Sequence, residues 1–235
     1  MGLPIQTAPS YMTELPSDGR EVKFRPFLVK EQKLLVLARE SENFKEQVNA
    51  IKELINNVTY GECNCDEMYS IDVEWLFLRV REKSVGEEVK ATYRCSEDGC
   101  DGTGKAVIDL SKITTMGEIP ESKTIKINDD VGVIVGLPKF KDVSEIDAKV
   151  DPEDNVLKIV SKSIEKIFSG DQVFDRKDMD DADLDEFIGS LTFDQLGELG
   201  AFFDNAPRLA TDVQFKCNVC SKEQTKHLTG LQNFF

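Results

Sequence analysis

Two stretches of the chain, Tyr93-Arg-Cys95-Ser-Glu-Asp-Gly-Cys100 and Phe215-Lys-Cys217-Asn-Val-Cys220, each carry two cysteines a few residues apart. In both, a predicted strand leads into a turn that holds the pair, which is the spacing of two thiolates that bind one metal ion from one side. Together the pairs supply four thiolates, and four sulfur ligands leave a tetrahedral zinc ion no position for water or substrate. The sequence therefore predicts a structural zinc site at Cys95, Cys100, Cys217 and Cys220.

This site would connect the middle of the chain to its end. Cys100 and Cys217 are 117 positions apart, and closing a loop of that length costs roughly 4 kcal/mol of chain entropy. Structural zinc in small peptide sites binds with about 10 to 16 kcal/mol, which offsets the closure. We expect the ion to clip residues 87–110 against residues 211–228.

Charge and composition exclude several classes of protein. The chain has 235 residues, with 44 Asp and Glu against 29 Lys and Arg, a formal net charge of −15. Such a charge repels phosphate backbones and argues against nucleic-acid binding.

No apolar run approaches the roughly 20 residues of a membrane span, so we expect no membrane partner. The first residues lack the basic start and apolar core of an export signal, and in a reducing cytoplasm six cysteines favour metal over disulfides.

The N-terminal third predicts a hairpin followed by helices. Apolar and polar residues alternate on both sides of Ser17-Asp-Gly19, which predicts two antiparallel strands and a tight turn. From Lys30 the apolar spacing becomes three and four residues, which predicts an amphipathic helix pair. Ser70 to Gly86 has an early acid, a basic last turn and a terminal glycine, which predicts a mostly buried helix.

The remaining chain alternates sheet and helix. Glu87 to Leu110 predicts strand, knuckle and strand, and a second hairpin pattern surrounds Asn128-Asp-Asp130. A helix should follow Pro152 and end at Gly170, with Val156, Ile159, Val160, Ile164 and Ile167 as its buried stripe. Asp180 or Asp181 should cap the next helix.

We therefore expect an α+β fold: an N-terminal hairpin, a helical body and a zinc-ribbon-like four-cysteine β-knuckle pair that joins the middle and the C-terminus. A chain of this length can bury one sizeable core or two small ones. We divide it into an N-terminal hairpin and helices (1–86), a first zinc knuckle (87–110), a sheet and helical body (111–210) and a second knuckle with the C-terminal tail (211–235). One integrated domain is expected.

The sequence does not assign a single role to three further groups of residues. Cys63 and Cys65 are separated by one residue, a tight spacing for two ligands of one zinc ion, and they have no assigned role. His227 is an alternative zinc ligand, although four cysteines make a polar surface position the favoured interpretation. Phe234 and Phe235 should pack beneath the second knuckle or dock on a partner.

The sequence does not predict an enzyme. It contains one histidine, and it lacks Gly-x-Ser-x-Gly, His-Glu-x-x-His and a nucleophile beside a base. We expect a protein without catalytic or cofactor-binding residues apart from the zinc ligands, whose function is to bind other proteins.

Several segments spread over most of the chain together form a family pattern. They are Phe24-Arg-Pro-Phe-Leu28, Ile71 to Glu87 with the following pair Cys95 and Cys100, Phe187 to Leu191, Phe202-Phe203, Pro207-Arg-Leu209, Phe215-x-Cys-x-x-Cys220 and Gly230-Leu-x-x-Phe-Phe235. In these segments the chain resembles the T4-like bacteriophage baseplate hub and hub-assembly proteins. The resemblance gives Cys63 and Cys65 no matching ligand role.

The resemblance implies a non-enzymatic structural or assembly protein of a contractile-tail baseplate hub, in contact with other hub or tail proteins. It would lie in the virion tail baseplate, or in the host cytoplasm during assembly. One alternative is a transient chaperone of a hub or tape-measure protein, absent from the mature virion. Another is a zinc-ribbon regulator that binds nucleic acid, which the net charge of −15 opposes.

Overall fold

A computed structural model describes residues 7–41, 43–144 and 152–230 of the chain. Within these residues seven helices and eleven strands form an α+β fold, and all strand pairs are antiparallel. The strands form four small sheets of two, three, two and four strands. The predicted fold class is confirmed. Phe234 and Phe235 lie outside the described residues, so their packing stays a prediction.

The N-terminal hairpin and helices follow the sequence pattern. Gly19 takes a positive φ of 68° in the turn, a conformation that glycine adopts without strain. The elements are β1 (Tyr11–Glu14), β2 (Glu21–Phe24), α1 (Val29–Glu40), α2 (Phe44–Val58) and α3 (Ser70–Val85). Their shared apolar core includes Phe24, Leu54, Ile55, Val58, Leu76 and Phe77.

Helix α3 lies between two apolar clusters, which explains why most of its faces are apolar. Leu76 and Val80 belong to the N-terminal cluster, whereas Ile71 and Leu78 belong to a second cluster formed with strands. The helix ends at Gly86, whose φ of 122° is strained for any residue with a side chain. The N-terminal and middle parts of the chain are therefore packed on the same helix.

The second cluster is formed by two hairpins from distant parts of the chain. Arg94 pairs with Thr103 at the end of the first hairpin, and Lys216 pairs with Glu223 at the end of the second. The strands are β3 (Glu88–Arg94), β4 (Thr103–Asp109), β5 (Thr114–Met116), β10 (Arg208–Lys216) and β11 (Glu223–Thr229). Ala106, Ile108, Leu209, Val213 and Phe215 bury their side chains between them.

The third cluster joins a four-stranded sheet to helices. Leu184, Ile188 and Leu199 pack on buried residues of the sheet, Ile125, Val133 and Val135. The elements are β6 (Lys123–Lys126), β7 (Val131–Val135), α4 (Phe140–Val143), α5 (Pro152–Ser163), β8 (Ile164–Ser169), β9 (Gln172–Asp175), α6 (Asp181–Gly189) and α7 (Phe193–Ala201). Asp180 caps α6, as the sequence predicts: its carboxylate accepts the N–H of Asp183 at 2.8 Å.

The predicted helix from Pro152 to Gly170 is wrong in its second half. The helix ends at Ser163, and Ile164–Ser169 form a strand that turns at Gly170. Ile164 and Ile167 are three residues apart, a helical spacing, yet both are buried in the strand because a bulge at Glu165 shifts the register. The bulge returns both side chains to one face of the sheet. Val156, predicted as buried, is exposed.

The proposed division into residues 1–86, 87–110, 111–210 and 211–235 stays a prediction. Among the described residues, no helix is both long enough and apolar enough to cross a membrane.

Candidate metal centre

The first cysteine pair lies in the loop between β3 and β4. The N–H of Cys95 donates to the carbonyl of Gly102 at 2.8 Å and continues the ladder one residue beyond the strand. The N–H of Cys100 donates to the carbonyl of Glu97 at 3.1 Å. Gly99 has a φ of 72°, which turns the chain sharply before Cys100. This turn directs both sulfurs to the same side of the hairpin.

The second pair lies at the end of β10 in a tighter turn. The N–H of Cys217 donates to the carbonyl of Lys222 at 3.0 Å, and the N–H of Ser221 returns to the carbonyl of Cys217 at 3.1 Å. Ser221 has a φ of 61°, an uncommon left-handed conformation for a residue with a side chain. The turn places Cys220 beside Cys217.

The two pairs converge, so that four sulfurs surround one point. The Sγ atoms of Cys95 and Cys220 are 3.7 Å apart, as are those of Cys100 and Cys217. All four Sγ atoms lie within 4.8 Å of one another. These distances are far longer than the roughly 2 Å of a disulfide bond, and all four cysteines are free thiols.

The sulfur geometry fits a tetrahedral metal ion. With Zn–S bonds of about 2.3 Å, a tetrahedral zinc ion holds its sulfurs about 3.8 Å apart, close to the 3.7 Å between Cys95 and Cys220 and between Cys100 and Cys217. The donor set is the soft thiolate set that zinc prefers. These residues could hold a zinc ion with a complete coordination shell, and such an ion would supply structural stability.

Hydrogen bonds join the two cysteine loops around the sulfurs. The Asn218 N–H donates to the carbonyl of Thr103 at 2.8 Å, and the Thr103 N–H donates to Oδ1 of Asn218 at 2.9 Å. Gln224 accepts the N–H of Ser96 at 3.0 Å and donates from Nε2 to the sulfur of Cys95 at 2.8 Å. Outer-shell contacts of this kind orient the ligands of a metal site.

An ion pair adds to these contacts. The ammonium group of Lys222 on the second loop binds the carboxylate of Glu97 on the first. Both side chains are substantially exposed, so we expect the pair to contribute little stability by itself.

Two glycines allow the hairpins to approach each other. A Cβ atom on Gly102 would overlap the sulfur of Cys217 and come within 2.9 Å of the Cβ of Val219. A Cβ atom on Gly104 would overlap the ring of Phe215 and lie 2.6 Å from the carbonyl oxygen of Lys216. Nothing in the local sequence indicates that glycine is required at either position, because each contact is with a segment more than a hundred positions away.

The thiols of the cluster differ in pKa. Backbone N–H groups of Cys220 and Val219 donate to the sulfur of Cys217 and lower the pKa of Cys217 to about 6. For Cys100 the N–H of Gly102 lowers the pKa, but burial and three neighbouring sulfurs outweigh it and raise the pKa to about 11. Cys217 is thus the thiolate that forms first, and a bound metal ion would displace the protons of the other sulfurs.

The remaining sequence candidates lie elsewhere. Cys63 and Cys65 are buried in the N-terminal apolar cluster, and burial raises the pKa of Cys65 to about 12, as expected of inert core thiols. His227 lies on β11, where its Nδ1 is 2.7 Å from Oδ1 of Asp212, and half of its side chain is exposed. Among the described residues, neither the thiol pair nor His227 belongs to a group of three or more potential metal ligands.

Comparison with known proteins gives a family match. A family model described as T4 bacteriophage base plate protein matches residues 8–235, nearly the whole chain. No curated protein matches the chain, and no solved structure matches it.

Proposed function

The chain belongs to the family of T4 bacteriophage base plate proteins, and we propose that it is a non-enzymatic structural or assembly protein of the baseplate hub. Membership of this family supports a structural or assembly role in the phage baseplate, which is part of the virion tail. The hub is our finer proposal, and it rests on the resemblance of Ile71 to Glu87 and of the segment around Cys217 and Cys220 to hub and hub-assembly proteins.

We assign the four cysteines as ligands of a structural zinc ion. The single observation that supports this assignment is the convergence of Cys95, Cys100, Cys217 and Cys220 to within 4.8 Å of one another. An ion at their centre would fix the ends of two hairpins that are more than a hundred residues apart, next to the second apolar cluster that the hairpins share. The zinc ion would thus stabilise the fold, and the protein would act by contact with other proteins.

Locating the chain in the particle tests the hub assignment. Imaging of purified tails, combined with mass spectrometry of mature virions, should find the chain at the hub on the tail axis. Its presence at the baseplate periphery would contradict the hub proposal. Its absence from the virion, together with its presence on assembly intermediates, would favour the alternative of a transient chaperone for a hub or tape-measure protein.

Nucleic-acid binding by a zinc ribbon is the other alternative, and the net charge of −15 opposes it. The purified protein should pass through a heparin column at low salt without retention. Retention that disappears with increasing salt would indicate phosphate contacts and revive the regulator hypothesis.

A further inference from the structure

A second candidate site is a groove between α1, α2 and the C-terminal half of α3, which none of the four clustered cysteines lines. The groove has a volume of about 430 Å³. Its walls are largely apolar and include Phe27, Leu35, Ile51 and Phe77. Sites of this size with few polar groups are typical places for a ligand or a partner segment.

Arg81 is the cationic side chain of this groove. Its Nη1 is buried, and it has no hydrogen-bond partner among the described residues. Two buried carboxylates of the same half of the molecule are bound by other cations. Glu31 binds Arg25 at 2.8 Å, and Glu82 binds Arg79 at 2.5 Å.

A buried guanidinium nitrogen without a partner is costly for the isolated protein, because most buried polar atoms have one. Arg81 is partly buried, and a charged group that loses part of its hydration is stabilised by a counter-charge. Burial alone also lowers the pKa of Arg81, which is the effect of lost hydration without a neighbouring acid. The position of Arg81 therefore favours an anionic partner from outside the described residues.

Helix α1 presents further apolar surface at the groove. Val36 lines the groove and is 48% exposed, and Val85 at the end of α3 lines it from the other side and is 60% exposed. Two exposed apolar side chains on opposite walls of one apolar groove form the kind of patch that marks an interaction site.

We infer that this groove binds an apolar segment of another baseplate or tail protein, and that a carboxylate on that segment pairs with Arg81. The inference rests on the proposed function only in taking the partner from the tail. An apolar segment fits the walls, and an Asp or Glu side chain matches the planar guanidinium with two parallel hydrogen bonds. The guanidinium makes this contact only in the complex. It therefore selects a partner segment whose Asp or Glu lies opposite Arg81 when the apolar residues of the segment fill the groove.

Photo-crosslinking in infected cells tests this inference. A photo-reactive amino acid at position 36 should crosslink to one segment of another tail protein, and mass spectrometry should show that the segment is apolar and contains Asp or Glu. Position 156 is the matched control, because Val156 is also a half-exposed helical valine but lies on α5, which does not line the groove. Crosslinks at position 36 to another copy of this chain, or no crosslinks, would overturn the inference.

Arg81→Met separates recognition from folding. Methionine keeps much of the length of arginine without its charge, so the isolated variant should be as stable as the wild-type protein or more stable. Crosslinking from position 36 should fall at least tenfold. Unchanged crosslinking, or a loss of stability that accounts for the weaker crosslinking, would overturn the role of Arg81. Val85→Asp, at an exposed rim position, should give the same loss without a change in the core.

The outcomes also separate the groove from the hub assignment. A crosslink to an acidic, apolar segment of a tail protein outside the hub supports the groove and contradicts the hub. A chain located at the hub that gives no crosslink from position 36 supports the hub and contradicts the groove.

Discussion

Gly102 lies against the sulfur of Cys217, so a methyl group at this position has no room. The atoms that would have to move belong to the cysteine cluster and to the Cβ of Val219, and not to the end of a flexible side chain. The close approach of the two hairpins therefore depends on the absence of a side chain at one backbone position.

We predict that Gly102→Ala weakens the metal centre and lowers the free energy of unfolding by about 1 to 3 kcal/mol, the usual cost of overpacking. Zinc content by mass spectrometry and chemical denaturation measure the two effects. Gly189→Ala is the control, because nothing lies within 4 Å of its added Cβ and α6 gains a helix-favouring residue. Equal zinc content and stability in both variants would contradict the packing account.

Asp72 gives a pH-dependent prediction. It is 2% exposed and accepts the N–H of Ser17 at 2.9 Å, and burial raises its pKa above the ordinary value. A folded-state pKa above the unfolded one favours the protonated form, so the contribution of Asp72 to stability falls as pH rises from about 4 through the folded pKa. Asp72→Asn keeps an acceptor for Ser17 and removes this loss.

Denaturation of both proteins at pH 4.5 and pH 7.5 measures the effect. The stability advantage of Asp72→Asn over the wild-type protein should be larger at the higher pH. The cysteine site is common to both proteins, so its own pH dependence cancels in the difference. Asp129→Asn, whose side chain is 99% exposed, should change stability by less than about 0.5 kcal/mol at either pH. A smaller advantage at pH 7.5 would mean that the buried carboxylate is stabilised in its charged form.

Among the elements, helix α6 illustrates how far local chemistry determines structure. Seven acids between Asp175 and Glu186 resemble a binding loop, but Asp180 and Asp183 form a reciprocal capping box at the helix start. Asp181 of the first turn binds Lys162 at 2.8 Å and Arg176 at 2.9 Å. The acids therefore serve the positive end of the helix and its neighbours.

We expect Asp180→Ala to lower the free energy of unfolding by about 1 kcal/mol, the typical cost of losing an N-cap acceptor. Asp185→Ala, at an exposed position inside the same helix, should cost less than about 0.5 kcal/mol. Urea denaturation resolves both values. If the two substitutions cost the same, the capping role of Asp180 is wrong.

The sequence predicts elements well where the signal is local. The turn at Gly19, the end of α3 at Gly86 and the cap of α6 each depend on the local chemistry of one residue. The first two are found as predicted, and of the two predicted caps, Asp180 and Asp181, the structure has Asp180. The strand that begins at Ile164 was missed, because a bulge gives a strand the apolar spacing of a helix. That bulge forms against β7, which is remote in sequence.

The difference between local and long-range signals also explains why the cysteine site could be predicted and the groove could not. The cysteine pairs are predictable because each pair is local and four thiolates suit one ion. The groove with Arg81 was not predicted, since three helices must pack before a nitrogen of an arginine on one of them is buried without a partner among the described residues. The close contacts of Gly102 and Gly104 need the same long-range knowledge.

At the scale of the whole molecule, the cysteine cluster closes a chain segment of more than a hundred residues. The segment between Cys100 and Cys217 contains the third apolar cluster, with its sheet and helices. A bound zinc ion would limit the separation of the two hairpins in the unfolded and partly folded chain. The zinc ion and the second apolar cluster would therefore both stabilise the contact between the two hairpins, which are distant in sequence.

The most direct test is the metal content and X-ray absorption of the protein purified from zinc-supplemented cells without chelators. We predict one zinc ion per chain, with four sulfur ligands at about 2.3 Å. Cys217→Ser should lose most of the metal, whereas Cys63→Ala, in the N-terminal cluster, should retain it. A protein without zinc, a zinc ion with nitrogen or oxygen ligands, or equal zinc content in the two variants would contradict the account.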